Sequence, residues 1–504
     1  MKRNIKIKLP ERIPLEYVFP VLGFLFAVQM LEGTKVYTSA AYCAFIIVMV
    51  DAFNVSGGMI YPSGGYIFFC GFLTVILGGL AKVALGEPLD SNLIDGQKSM
   101  LVYLAGACSI WVAARINARV RRKKGLLAPL QIPPNRIEQV ALGAAIFGQF
   151  GWMIVPTAYV STFVQMNVFP ALALFLFAYG KARETDGYRT FTVLSFVIWA
   201  WSTTVWGILG FSKEGMFRPS QAWALGALIA GYRLTWTRAL MIGGTAIVAA
   251  SLLTPIAQMG RMYRGETNAS EMAWDLLSHP LRTREQYQQK VESVLGRNGY
   301  HWFDHNQGLL DRLTVLPIDD ALIHLTDQGH SPGLFPIGTY VLNMIPRYLV
   351  KDKPVWHWGN RYAHEIGLLG KDDDTTGVSF SPFGEGYHCA QWWGVTAISM
   401  PIYLMMFVFC DSLTGSTRDS VWASIYVLLF GHSAAEGVLG TPFAAISTYA
   451  FMIIFAAFLS RYFLPLVGGL MLPPSKQRGT PVNENHWRPA PAYPLRPVPR
   501  TIKE

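Results

Sequence analysis

Apolar runs long enough to cross the hydrocarbon of a bilayer, about 20 residues as a helix, recur along most of this chain. They lie at 15–31, 36–53, 60–84, 98–116, 137–155, 160–180, 190–208, 220–235, 238–256, 390–410, 421–437 and 443–465. The pattern predicts about twelve helical spans, because backbone groups in lipid must be satisfied within their own segment. Between the ninth and tenth runs it breaks. Residues 257–389 contain no span, yet Ser270–Val294 and Gly308–Leu325 mix charged and apolar positions at helical spacing. That spacing predicts a partly helical cap, not a linker. The expected fold class is therefore an all-α polytopic membrane protein with one large, partly helical loop. Its expected divisions are an N-terminal membrane domain of about nine spans at 1–256, the loop at 257–389, further spans at 390–470, and a disordered Pro- and Arg-rich tail at 471–504.

Charge placement orients this pattern. The densest basic block is Arg115, Arg119, Arg121, Arg122, Lys123, Lys124 and Arg136, which the positive-inside rule assigns to the cytoplasm. Counting spans from there puts both termini, Lys181–Arg189 and the Arg233/Arg238 connection on the same side. The acidic connection Glu87, Asp90 and Asp95 falls on the other side, with the long loop. Composition agrees: 15% of residues are charged and 52% hydrophobic, against roughly 25% charged in soluble domains. The net charge of +10 sits in the expected cytoplasmic anchors, which argues against nucleic acid as a partner. Cys43, Cys70, Cys108 and Cys410 lie inside apolar runs and Cys389 where the loop re-enters, so no disulfide or zinc framework is expected. The N-terminal positives precede a long apolar stretch with no small-residue cleavage site, the pattern of an uncleaved first span.

Two clusters carry candidate chemistry. Ile345-Pro-Arg347-Tyr-Leu-Val-Lys351-Asp-Lys353-Pro354 places three cations between two prolines. Arg offers a planar fork for phosphate oxygens and Lys a point charge, so the segment suits a lipid-linked pyrophosphate; a basic patch against lipid headgroups is the plainer reading. In Ser379-Phe-Ser381-Pro-Phe-Gly-Glu385-Gly-Tyr-His388, a carboxylate and an imidazole three residues apart share a helix face. They suit general-base and orienting roles, or Glu385 is simply a favourable N-terminal charge. Lys213 and Arg218 beyond Gly210, with Arg261, Arg264 and Arg312, either complete an anion site or mark the membrane boundary. His432 and Glu436 form a possible intramembrane ionisable pair. His301-Trp-Phe-Asp304-His305 is a poor metal match, Asp372-Asp373-Asp374 reads as a solvated turn, and Asn268-Ala-Ser270 is a sequon by pattern only. No metal site and no cofactor are expected.

Taken together, the spans, the single large loop, Pro-Arg-x-x-x-Lys-x-Lys-Pro and Ser-x-Ser-Pro-x-x-Glu resemble the Wzy-type bacterial O-antigen and polysaccharide polymerases. The architectural likeness covers roughly residues 10–470, and the motifs fall within about 310–395 at Arg312, Arg347, Lys353, Pro354, Ser381 and Glu385. The Lys213 turn is similar to a Ser-Arg-Gly turn of related polymerases and ligases, with Lys in place of Arg and Glu214 before the glycine. The ligase histidine has no clean counterpart; His364 and His388 come nearest. The resemblance implies a multi-span, GT-C-like glycosyltransferase in the bacterial inner membrane whose large loop is periplasmic. Its donor would be an undecaprenyl-pyrophosphate-linked oligosaccharide, with a chain-length regulator as a possible partner. Arg347, Lys351 and Lys353, with Arg312, Lys213, Arg218 and Ser381, would hold pyrophosphate and glycan; Glu385, His388 and Arg347 would carry the chemistry. Trp356, Trp358, Trp392 and Trp393 would stack on sugars or anchor at the interface. An O-antigen ligase, a lipid-oligosaccharide flippase and an envelope scaffold are the competing readings.

Overall fold

The computed structural model describes residues 5–6, 9–151, 168–262, 268–298, 300–304, 314–345, 349–350, 353–354, 356–370, 372–373 and 376–473. The first half is a succession of helices: α1 (Leu15–Leu31), α2 (Val36–Ser56), α3 (Pro62–Leu85), α4 (Gly96–Val120), α5 (Ile137–Phe150), α6 (Val168–Glu184), α7 (Val193–Ile208), α8 (Lys213–Ile229) and α9 (Trp236–Met262). Six described helices are long and apolar enough to cross a membrane: α2, α3, α4, α9, and the later α15 (Pro382–Thr414) and α17 (Gly440–Tyr462). α1, α7 and part of α16 (Val421–Glu436) are shorter apolar helices. The chain is thus a helical, membrane-embedded protein. The expected run at 137–155 is helical to Phe150, and its remainder lies outside the described residues.

The loop between α9 and α15 is helical where its spacing predicted. α10 (Ala269–Ser278) and α11 (Pro280–Asn298) fill the first amphipathic stretch, and α12 (Leu316–Asp327) occupies the described part of the second. α13 (Phe335–Met344) and α14 (Trp358–Glu365) follow. Asn268 is a helix cap: its side chain accepts from the Ser270 N–H, satisfying a group the first turn leaves unpaired.

Packing centres on α2 against α4, α4 against α15 and α3 against α16, while α6 sits between α5 and α8. Its aromatic interior includes Tyr66, whose ring meets Tyr403, Phe407 and Phe430. Loops gather at two ends. At one, Met59 N donates to Pro10 O at 2.9 Å, Thr417 N to Ile60 O at 2.7 Å and Leu126 N to Ser412 O at 3.0 Å. At the other, Leu89 N donates to Thr34 Oγ1 at 2.9 Å and Asn92 Nδ2 to Trp302 O at 3.1 Å. The acidic connection precedes α4 and the basic block begins in its last turns and runs past it, so the two fall at opposite ends of that helix.

α15 is the element that shapes the site. Ala390 (φ −155°, ψ 33°) and Gln391 (φ 49°, ψ −135°) break it into a short limb carrying Glu385 and His388 and a long apolar limb. Gly386 on the short limb lies against Ser399 and the Gly394 carbonyl on the long one, so glycine permits the fold-back. The expected span at 390–410 therefore begins at this break. A π turn at Gly394–Ile398 follows, and another at Ala445–Tyr449 interrupts α17; such turns often sit at functional sites.

Candidate functional site

Three short helices, α13, α14 and the short limb of α15, meet the start of α17 around two buried acid clusters and one cavity. The first acid is Glu385, fully buried. Its Oε1 accepts from Tyr340 Oη at 2.6 Å and Tyr362 Oη at 2.8 Å, and its Oε2 from Leu439 N at 2.6 Å. No described cation pairs with it, so three donors offset only part of the solvation that burial removes. Burial, with the Glu385 carboxylate beside them, pushes both phenols above the ordinary tyrosine range and keeps them as donors. The donor peptide follows Val438, a β-branched residue at φ 47°. A left-handed β-branched residue is a costly conformation, held here by its surroundings.

His388 lies on the other flank of Tyr362, whose ring meets it edge-on at 5.2 Å. Its Nδ1 is 2.8 Å from Thr326 Oγ1 and its Nε2 3.1 Å from Glu365 Oε2. Thr326 already donates to the Leu322 carbonyl, so its oxygen accepts from the imidazole. Both ring nitrogens are thus engaged, Nδ1 by the Thr326 hydroxyl and Nε2 by the Glu365 carboxylate. Burial alone would raise Glu365, but its bonds with His388 and Arg361 outweigh that and hold the carboxyl below its usual range.

The second acid cluster is one that sequence reasoning missed. Asp319 and Asp320 look like ordinary charges on an amphipathic helix, yet both are buried. Asp319 accepts from Tyr103 Oη at 2.5 Å and Ser381 N at 3.1 Å; Asp320 accepts from Ser99 Oγ at 2.6 Å and from the backbone ahead of α4. Burial, partly offset by these bonds, pushes Asp319 up to about 7. The pair fastens the loop to the membrane bundle.

A cavity of about 400 Å³ opens beside these clusters. Tyr340, Trp356, Trp358 and Phe443 supply its aromatic wall, and Asn343, Asn360, His357, Ser447 and Thr448 its polar one. Trp356 and Trp358 stack at 5.6 Å with Arg361 beside both rings. Trp358 Nε1 is fixed by Thr339 Oγ1 at 2.8 Å, leaving Trp356 as the more open ring. Of the described lining residues only Tyr340 and His357 carry an ionisable side chain, and His357 is exposed. His357 received no role from the sequence. Its signal was its place between two tryptophans.

The remaining candidates divide. Glu385 and His388 were expected at an open mouth; instead Tyr340 and Tyr362 stand around Glu385, and it supports the cavity wall from behind. Ser381, expected to touch substrate, is fully buried and caps α15 by accepting from Phe383 and Gly384 N–H. Lys213 and Arg218 do not form a turn. Ser212 accepts from Gly215 N, so α8 starts at Lys213, and Arg218 pairs with Glu214 one helical turn back. Arg218 lies within electrostatic reach of Tyr449, the chain neighbour of cavity residue Thr448. Lys353 is buried, and its Nζ donates to Ile345 O at 2.7 Å. Arg312, Arg347, Lys351 and Arg264 lie outside the described residues, as does the His432 side chain. Met344 and Trp356, which bracket the Arg347–Lys353 segment in the chain, both line the cavity. Glu436 accepts from Ser379 Oγ at 2.9 Å, and Asp373 Oδ1 from Thr376 N at 2.9 Å. Among the described residues no group of three or more His, Cys, Asp and Glu side chains converges as a metal site.

Fold and site define a helical membrane protein with an aromatic, largely uncharged cavity against an acid-anchored loop. No protein-family model, curated protein or solved structure matches the chain.

Proposed function

We propose that the protein transfers glycans from a polyprenyl-pyrophosphate carrier, extending lipid-linked repeat units into a polysaccharide at the periplasmic face of the bacterial inner membrane. The observation that carries this reading is the cavity itself. Paired indoles give flat apolar surface for a sugar ring, and neutral amides and hydroxyls give hydrogen bonds to its edge. The Arg347–Lys353 segment between two of its lining residues supplies charges suited to a pyrophosphate.

In this scheme an acceptor hydroxyl attacks the anomeric carbon of the donor, and the bond from that carbon to the pyrophosphate oxygen breaks. The leaving oxygen takes the electron pair, stabilised by Arg347 and Lys351. The hydroxyl proton passes to His357, the exposed titratable group in the wall. Glu385 positions Tyr340, and the Glu365–His388 pair positions Tyr362 and α14.

The test is reconstitution of the purified protein in vesicles with undecaprenyl-pyrophosphate-linked repeat units. Longer chains and released undecaprenyl pyrophosphate are expected. His357→Ala should lower the rate about 100-fold or more, the scale of general-base loss, and Arg347→Ala should abolish product while the protein still inserts. Unchanged rates in both variants would remove the assignment. Transfer that needs a separate glycolipid acceptor would make the protein a ligase.

A further inference from the structure

We propose that the bundle end opposite the cavity binds an anionic phospholipid, its acyl chain in a groove along α15 and its phosphate at Arg122, Lys123 and Lys124. The groove holds about 580 Å³. Pro401, Leu404, Met405, Val408, Phe409 and Leu413 line it at successive helical turns, forming one apolar stripe. Met405 is 42% and Phe409 38% exposed, so the protein itself leaves the stripe uncovered.

What covers it is argued from charge. The groove's end is closed by the strand of chain that leaves α4. Leu126 N donates to Ser412 O at 3.0 Å and Leu127 N to Leu413 O at 2.9 Å, and Leu126 and Ser412 both line the groove. Gly125 makes this contact possible, because a Cβ there would meet the backbone of Thr414 and Gly415. The same strand carries Arg122, Lys123 and Lys124, all exposed. Among the described residues no carboxylate pairs with them. Arg121, by contrast, is spent on the Ser56 carbonyl and the Tyr61 ring. Three cations at the membrane end of an apolar groove match a lipid whose phosphate is anionic and whose chain is apolar. A zwitterionic lipid would satisfy the groove but not the cations.

The test uses the full chain purified in detergent, with bound lipid read by native mass spectrometry against added phosphatidylglycerol or phosphatidylcholine. Phosphatidylglycerol is expected to be retained in preference. Replacing all three cations (R122Q, K123Q and K124Q together) should weaken its retention roughly 100-fold, at about a factor of five for each charge. Val408→Trp, which fills the groove without changing charge, should reduce retention as well, and its unchanged melting point would show that the fold is intact. Equal retention of the two lipids, or unchanged phosphatidylglycerol binding in the triple variant, would overturn the proposal. So would displacement of the lipid by soluble glycerol phosphate at equal concentration, which would leave only an anion site.

Discussion

Replacing Glu385 by alanine should destabilise the protein strongly, because of what it strands. Two phenolic hydroxyls and one peptide N–H donate to this carboxylate, all in the interior. A buried donor left without a partner costs about 1–3 kcal/mol. Three of them put the ceiling for Glu385→Ala near 9 kcal/mol, and local relaxation or entering water brings the expected loss to roughly half of that. Glu385→Gln is the informative comparison. Its amide oxygen keeps Tyr340 and Tyr362, while its NH₂ opposes the Leu439 N–H, so about 1–3 kcal/mol is lost. Unfolding both variants by SDS titration in mixed micelles, beside the parent, measures the difference. A large loss for alanine with a small one for glutamine supports an anchoring role. Two variants as stable as the parent, yet inactive, would refute the reasoning and make Glu385 a reacting group.

Asp319 gives a pH prediction with a definite sign. Its folded value of about 7 lies above the ordinary carboxyl value near 3.8, so the folded state holds the proton more tightly than the unfolded one. Stability should therefore fall as pH rises from about 4 to 7 and level off above that. Asp319→Asn should reduce this slope in a thermal unfolding series, and an unchanged slope would place the titration elsewhere. Trp356→Ala removes the open ring of the indole pair; it should weaken glycan binding by about 1–3 kcal/mol, read by isothermal titration with the free oligosaccharide, and leave the melting point within a few degrees.

Much of the architecture was legible in the sequence because lipid imposes a crude code. Apolar length marked the six described helices long enough to cross a membrane, out of about twelve spans expected. The amphipathic spacing of Ser270–Val294 foretold α10 and α11. The site was less legible, for a physical reason. Glu385 is recognisable as a loop-end carboxylate, but its partners Tyr340 and Leu439 lie 45 and 54 positions away, and Asp411 meets Ser63 across 348. Local spacing carries no trace of such pairings. Asp319 shows the same limit: its helix looks half-solvated until α4 packs against it. The break at Ala390–Gln391 was hidden too, since neither residue type marks a left-handed turn, whereas Gly386 and Gly394 in retrospect mark the close approach.

The most direct test of glycan transfer from a lipid carrier is to delete the gene in its host and resolve the extracted surface glycans by gel and mass spectrometry. Loss of long chains with accumulation of a single lipid-linked repeat unit on the periplasmic face is the expected result. Long chains that persist unaltered, or repeat units trapped on the cytoplasmic face, would contradict the account.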